Sequence, residues 1–96
     1  MDLELWYKGS VHRFNGYGMD SVNIENRVES SMIQKMVSTG ISDLKVRLNE
    51  IKEDGVSFSV FYFEKETNYF IKKGEEIIHK YEGNAFGFEL VFSLRG

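Results

Sequence analysis

Two histidines, His12 and His79, are the first residues to consider for metal binding or acid–base catalysis. Neither belongs to an H-x-H or H-x-x-x-H motif, which would place two imidazoles beside one metal ion. A carboxylate such as Asp20 or Glu76 could complete a metal site only if the fold brought distant segments together. A solvated histidine on a strand face explains both positions more simply, so the sequence predicts no metal site.

Candidate nucleophiles and paired carboxylates lack the sequence context that catalysis requires. No serine lies in a G-x-S-x-G or S-x-x-K motif, and the chain contains no cysteine. The pairs Glu53-Asp54 and Glu75-Glu76 lie in predicted turns, whereas general acid–base catalysis needs a half-buried carboxylate. We therefore predict that the protein is not an enzyme and has no catalytic residues and no cofactor.

The segment Asn15-Gly16-Tyr17-Gly18 could bind a phosphate group through its backbone amides. However, it is not followed by G-K-S/T and does not extend to G-x-G-x-x-G. Asn-Gly instead favours a tight hairpin turn, because both positions tolerate a positive φ. We interpret this segment as the turn of a short hairpin that joins residues 11–14 to residues 17–19.

Lysines and aromatic rings alternate in the second half of the chain, a pattern that could bind single-stranded nucleic acid. Lys72, Lys73 and Lys80 are the cations concerned, but nearby glutamates almost cancel their charge. The net charge of −3 also disfavours binding to DNA or to an anionic membrane. Nucleic acid is thus a disfavoured partner. A small-ligand or single-strand binder that uses these lysines and the sheet aromatics is the alternative function.

Aromatic residues make up 15% of the chain, which exceeds what a core of this size needs and indicates a surface for another protein. One group of rings flanks the charged segment 64–68, and a second group joins the single tryptophan to the glycine-rich segment. The predicted interaction residues are Trp6, Tyr17, Phe61, Tyr62, Phe63, Tyr69 and Phe70. The sequence therefore predicts a non-enzymatic protein–protein interaction module, such as an adaptor, inhibitor or assembly subunit. We expect it to be a homo-oligomer.

Length and composition indicate one domain that covers residues 1–96, with a single modest core. The acidic start Met1-Asp2-Leu3-Glu4-Leu5 has no positive region followed by an apolar run, so it predicts no secretory signal. No apolar run approaches the ~20 residues that span a bilayer. The absence of cysteine fits a reducing compartment, and we expect a cytoplasmic location.

The elements that position these residues are organised around a predicted hairpin over residues 44–63. Leu44, Val46 and Leu48 alternate with polar residues before the turn at residues 52–55, and a similar alternation follows it. Ile51 is out of phase with Leu48, which predicts a β-bulge near residues 49–50. Residues 86–94 give the most regular strand, and its wholly apolar face places it inside the sheet.

The remaining segments predict further strands at residues 2–8, 69–71 and 77–81, together with one helix over residues 22–38. Ile24, Val28, Met32 and Met36 are spaced four apart, as expected for the apolar stripe of a helix. The predicted fold class is therefore α+β, with a mostly antiparallel β-sheet of about five to six strands and one amphipathic helix packed on it. The alternative is a small β-barrel or sandwich in which residues 22–38 bridge strands.

Overall fold

The computed structural model describes residues 3–14 and 16–96, which form eight β-strands and a short 3-10 helix at Ser30–Met32. The predicted contributions of Asp2 to the first strand and of Asn15 to the first turn lie outside the described residues. The strands are β1 (Glu4–Phe14), β2 (Met19–Val28), β3 (Met36–Ser38), β4 (Leu44–Ile51), β5 (Gly55–Tyr62), β6 (Lys65–Lys72), β7 (Glu76–Glu82) and β8 (Phe86–Arg95).

The strands form two four-stranded antiparallel sheets. The first sheet has the order β2-β1-β8-β7 and the second has the order β3-β4-β5-β6. Strands that follow each other in the chain are neighbours within each sheet, and the pairing of β1 with β8 joins the beginning of the chain to its end. The chain passes from one sheet to the other between β2 and β3 and again between β6 and β7.

The predicted α+β class is wrong, and the alternative of a small sandwich fits. The segment expected to be a helix contains the second half of β2, the 3-10 helix and β3. A spacing of four residues does not distinguish the two structures, because every fourth residue also lies on one face of a strand. Ile24 and Val28 share the inner face of β2, and seven residue pairs with β1 fix residues 22–28 as a strand. The β-branched residues of this segment also favour a strand.

The strand predictions are confirmed for residues 4–8, 69–71 and 77–81, which lie within β1, β6 and β7, and for two further elements. β4 and β5 form the expected hairpin, and its register shifts between Leu48 and Glu50, where the β-bulge was predicted. β8 lies between β1 and β7, and Phe88, Leu90 and Phe92 on its inner face are almost fully buried.

One hydrophobic core lies between the sheets and draws side chains from both. Its centre is the contact between Phe58 of β5 and Phe92 of β8, whose ring centroids are 4.6 Å apart. Phe92 also packs against Tyr7, and Phe58 stacks on Tyr69. Full burial of one such ring stabilises the fold by about 1.5–3 kcal/mol. The part of the chain that the structure describes contains no helix long and apolar enough to cross a membrane.

Candidate functional site

Five of the predicted interaction residues flank the charged segment 64–68. Four of them lie on the two opposite faces of the second sheet, and Phe63 lies in the turn after β5. Tyr62 and Tyr69 pack against the core, because they lie on the inner face of the second sheet. Phe61 and Phe70 lie on its outer face, in the alternate positions of β5 and β6. Neighbouring residues of a strand point to opposite sides of a sheet, so Phe61 and Tyr62 of β5 cannot lie on one surface, and neither can Tyr69 and Phe70 of β6.

The outer face of the second sheet is occupied by a network of polar side chains. Arg47 donates to Asn49 at 2.6 Å, and Asn49 donates to the hydroxyl of Ser59 at 2.7 Å. Ser59 in turn donates to Asn68 and is fully buried. The Arg47 guanidinium also covers the Phe61 ring at 5.0 Å. This face therefore satisfies most of its own polar groups and covers one of the two predicted rings.

Trp6 lies on the outer face of the first sheet, where two cations flank its ring. The guanidinium carbon of Arg95 lies 4.2 Å from the centroid of the Trp6 ring, and that of Arg27 lies 5.6 Å from it. Both are cation–π distances. The indole Nε1 is buried and has no hydrogen-bond partner among the described residues. It borders a small cavity of about 100 Å³ that Glu76 and Ser93 also line. The ring is thus half-buried and held by its neighbours.

Tyr62 connects several rings at one end of the sandwich. Its ring centroid lies 4.6 Å from that of Phe63, 4.8 Å from that of Tyr81 and 6.0 Å from that of Phe86. Burial raises the pKa of the Tyr62 hydroxyl, and the negative charge of nearby Asp43 contributes to the same shift. These contacts bring together rings from the β5–β6 turn, β7 and β8.

The same end of the molecule carries the tip of the β1–β2 hairpin. Phe14 pairs with Met19 across this hairpin, and the Phe14 amide donates to the carbonyl of Ala85 at 2.9 Å. Phe14, Met19 and Phe86 line a cleft of about 240 Å³. Tyr17 projects from the turn and is fully exposed.

We call this surface the aromatic end, and it comprises Phe14, Met19, Tyr62, Phe63, Tyr81 and Phe86. Three of its members expose more than half of their surface, which is 56% for Phe14, 65% for Met19 and 64% for Phe63. Phe14 and Met19 were not predicted from the sequence as interaction residues, because they were assigned only to the strands of a short hairpin. The structure sets these two residues opposite each other at the end of the β1–β2 hairpin.

Phe63 has a backbone conformation that residues other than glycine rarely adopt. It lies in the tight turn between β5 and β6 with a φ of 55°. Its amide donates to the carbonyl of Asp43 at 3.0 Å, which holds the turn in place. A bulky residue with positive φ is uncommon, and such outliers occur often at functional sites. The turn therefore holds an exposed ring at the aromatic end at a cost to the backbone.

His79 and Tyr69 are half-buried titratable residues that contact each other. The Tyr69 hydroxyl lies 2.6 Å from Nδ1 of His79, at the gap between β6 and β7. Burial lowers the pKa of His79, and the charge of Lys65 lowers it further, so the neutral imidazole is favoured. Burial also raises the pKa of Tyr69. The rings packed on this pair belong to Phe58 and Phe88, which makes it a part of the core.

The three lysines of the alternative function do not lie on one surface. Lys72 ends β6 on the outer face of the second sheet, and Lys73 follows it in the turn to β7. Lys80 lies on the outer face of the first sheet and pairs with Glu82 at 3.0 Å. Within residues 3–14 and 16–96, no three histidine, aspartate or glutamate side chains are grouped closely enough to hold a metal ion.

The fold is thus an antiparallel β-sandwich with an apolar cleft at one end. We compared the chain with protein-family models, curated proteins and solved structures, and none of them matches it.

Proposed function

We propose that the protein is a non-enzymatic interaction module that binds another protein through its aromatic end. The observation that supports this proposal best is the exposure of Phe14 and Met19 at the cleft, together with the exposure of Phe63 at the same end of the sandwich. Large apolar side chains that cluster on the surface of a small domain are typical of protein–protein interfaces.

The chemistry of the cleft indicates what a partner would present. Its apolar lining comes from Phe14, Met19, Ala85 and Phe86. Such a lining favours an apolar side chain from the partner. Burial of one large apolar side chain contributes about 1.5–3 kcal/mol, which is enough to make it a hot spot. The strained Phe63 turn supports the same interpretation, since selection for folding alone would favour glycine there.

The proposal is tested by capture of binding partners from an extract of the cells that produce the protein. Phe14→Ser and Met19→Ser remove apolar surface at the cleft, and Phe70→Ser is the matched control on the outer face of the second sheet. We expect wild type and the control to retain the same partner protein, and each cleft variant to retain about tenfold less of it. A partner that all four proteins retain equally would contradict the proposal.

The cytoplasmic location stays a prediction, supported by the absence of cysteine. The alternative of nucleic-acid or small-ligand binding gains no specific support, because Lys80 and Lys72 lie on the outer faces of different sheets.

A further inference from the structure

β7 is an edge strand whose outward backbone groups are open. It pairs with β8 on one side, and among the described residues no other backbone hydrogen bond involves residues 76–82. β6 precedes it in the chain but belongs to the other sheet. An open edge of this kind can pair with a strand from a second chain.

The outer face of β7 carries Glu76, Ile78, Lys80 and Glu82 in alternate positions, and Lys80 lies 3.0 Å from Glu82. All four are exposed, and Ile78 exposes 59% of its surface although it is a large aliphatic residue. The first three are an acid, an aliphatic residue and a base. This arrangement of acid, aliphatic residue and base is complementary to its own copy when two such strands run antiparallel.

We propose that the chain forms a two-fold dimer in which β7 pairs with β7 of a second copy about Ile78. Glu76 of each copy then lies opposite Lys80 of the other, and the two Ile78 side chains lie opposite each other. The β2-β1-β8-β7 sheet of one copy thereby joins the same sheet of the other copy, which gives one sheet of eight strands. This dimer pairs residues 76–80 and leaves Tyr81, the residue of the aromatic end that lies on β7, outside the paired residues. It therefore goes beyond the proposed function and can fail separately from it.

Charge selects this register over its neighbours. A pairing centred on His79 places Glu76 opposite Glu82 of the second copy, and a pairing centred on Lys80 places the two lysines together. Like charges directly opposite each other destabilise a strand pair, whereas opposite charges stabilise it. The pairing centred on Ile78 gives two opposite-charge pairs and one aliphatic pair.

The other edge strands suit self-pairing less well. β3 has three residues and offers few hydrogen bonds. On β6, the register that opposes the charged residues near its ends places Phe70 against Asn68. On β2, the register that opposes Glu25 to Arg27 is centred on Asn26 and pairs only residues 24–28, which are half of the strand.

Charge reversal tests the dimer directly. We expect the wild-type protein to sediment as a dimer, and Glu76→Lys and Lys80→Glu each to raise the dissociation constant about tenfold or more. Each variant alone opposes like charges at both pairs. An equimolar mixture of the two variants opposes Glu76 to Lys80 and the new lysine to the new glutamate, so the mixture should dimerise as the wild type does.

The substituted residues are exposed, and a thermal unfolding curve checks that each variant is folded. A wild-type monomer over the whole concentration range would overturn the proposal. So would a dimer that neither variant weakens, or a mixture of variants that stays monomeric.

Discussion

Phe63 combines a left-handed backbone with an exposed ring that contacts Tyr62. Phe63→Gly and Phe63→Ala both remove the ring and its contact, but only glycine adopts a positive φ without steric cost. We therefore predict that the glycine variant is more stable than the alanine variant by about 1 kcal/mol.

Urea unfolding of the two Phe63 variants measures this difference. Equal free energies of unfolding would mean that the turn does not hold residue 63 in the left-handed conformation. Partner binding provides the control, because both variants lack the ring and should bind equally weakly.

His79 gives the folded protein a specific dependence on pH. Its pKa is lowered in the folded chain relative to its ordinary value of 6.5, so the unfolded chain takes up a proton first as the pH falls. The stability that His79 contributes is complete above pH 6.5 and is lost progressively below it. We predict that the free energy of unfolding decreases between about pH 7.5 and pH 5.5, where most carboxylates stay ionised.

His79→Gln cannot titrate, and its free energy of unfolding should decrease less over the same range. Chemical unfolding at both pH values measures the two changes. If the variant and the wild type lose the same free energy, His79 is not the residue responsible.

At the scale of the strands, Gly9 allows β1 to approach β8 closely. A Cβ atom at this position would lie 1.9 Å from the carbonyl oxygen of Glu89, far inside contact distance. Gly9→Ala must therefore separate the two strands or bend one of them, and we predict a loss of about 1–3 kcal/mol in the free energy of unfolding. The neighbouring residue Ser10 points outward, so Ser10→Ala should alter the free energy of unfolding by less than ~0.5 kcal/mol. Thermal or urea unfolding compares the two, and equal effects would contradict the role of Gly9.

The accuracy of the sequence predictions depended on whether the pattern in each segment fitted a single structure. The β4–β5 hairpin and β8 could be predicted because strict alternation fits a strand and not a helix. Residues 22–38 could not be assigned correctly, because apolar residues four apart fit both, and long-range pairing with β1 decided the outcome. Helix or strand propensity is a weak guide where tertiary pairing is extensive.

The candidate site was predicted in part for a related reason. Tyr62 and Phe63 were identified as surface candidates from their type. Their grouping with Phe14 and Met19 depends on where two hairpins end, which is a property of the sandwich as a whole. The separation of Phe61 from Tyr62 follows from strand alternation and could have been inferred once β5 was assigned.

At the scale of the whole molecule, the two proposed surfaces occupy different regions. The aromatic end faces one end of the sandwich, and the open edge of β7 runs along its side. A dimer through β7 would present two aromatic ends, so a partner with two binding segments would be held more tightly than by one copy. We therefore propose that this small sandwich assembles through an edge and binds a partner through an end.

The measurement that tests the central claim most directly is site-specific photo-crosslinking in living cells. A photoreactive benzoylphenylalanine replaces Phe63 at the aromatic end or, as the control, Phe70 on the outer face of the second sheet. We expect the Phe63 position to yield a discrete covalent adduct with another protein and the Phe70 position to yield none. Adducts of the same kind from both positions, or adducts to nucleic acid from either, would contradict the proposed function.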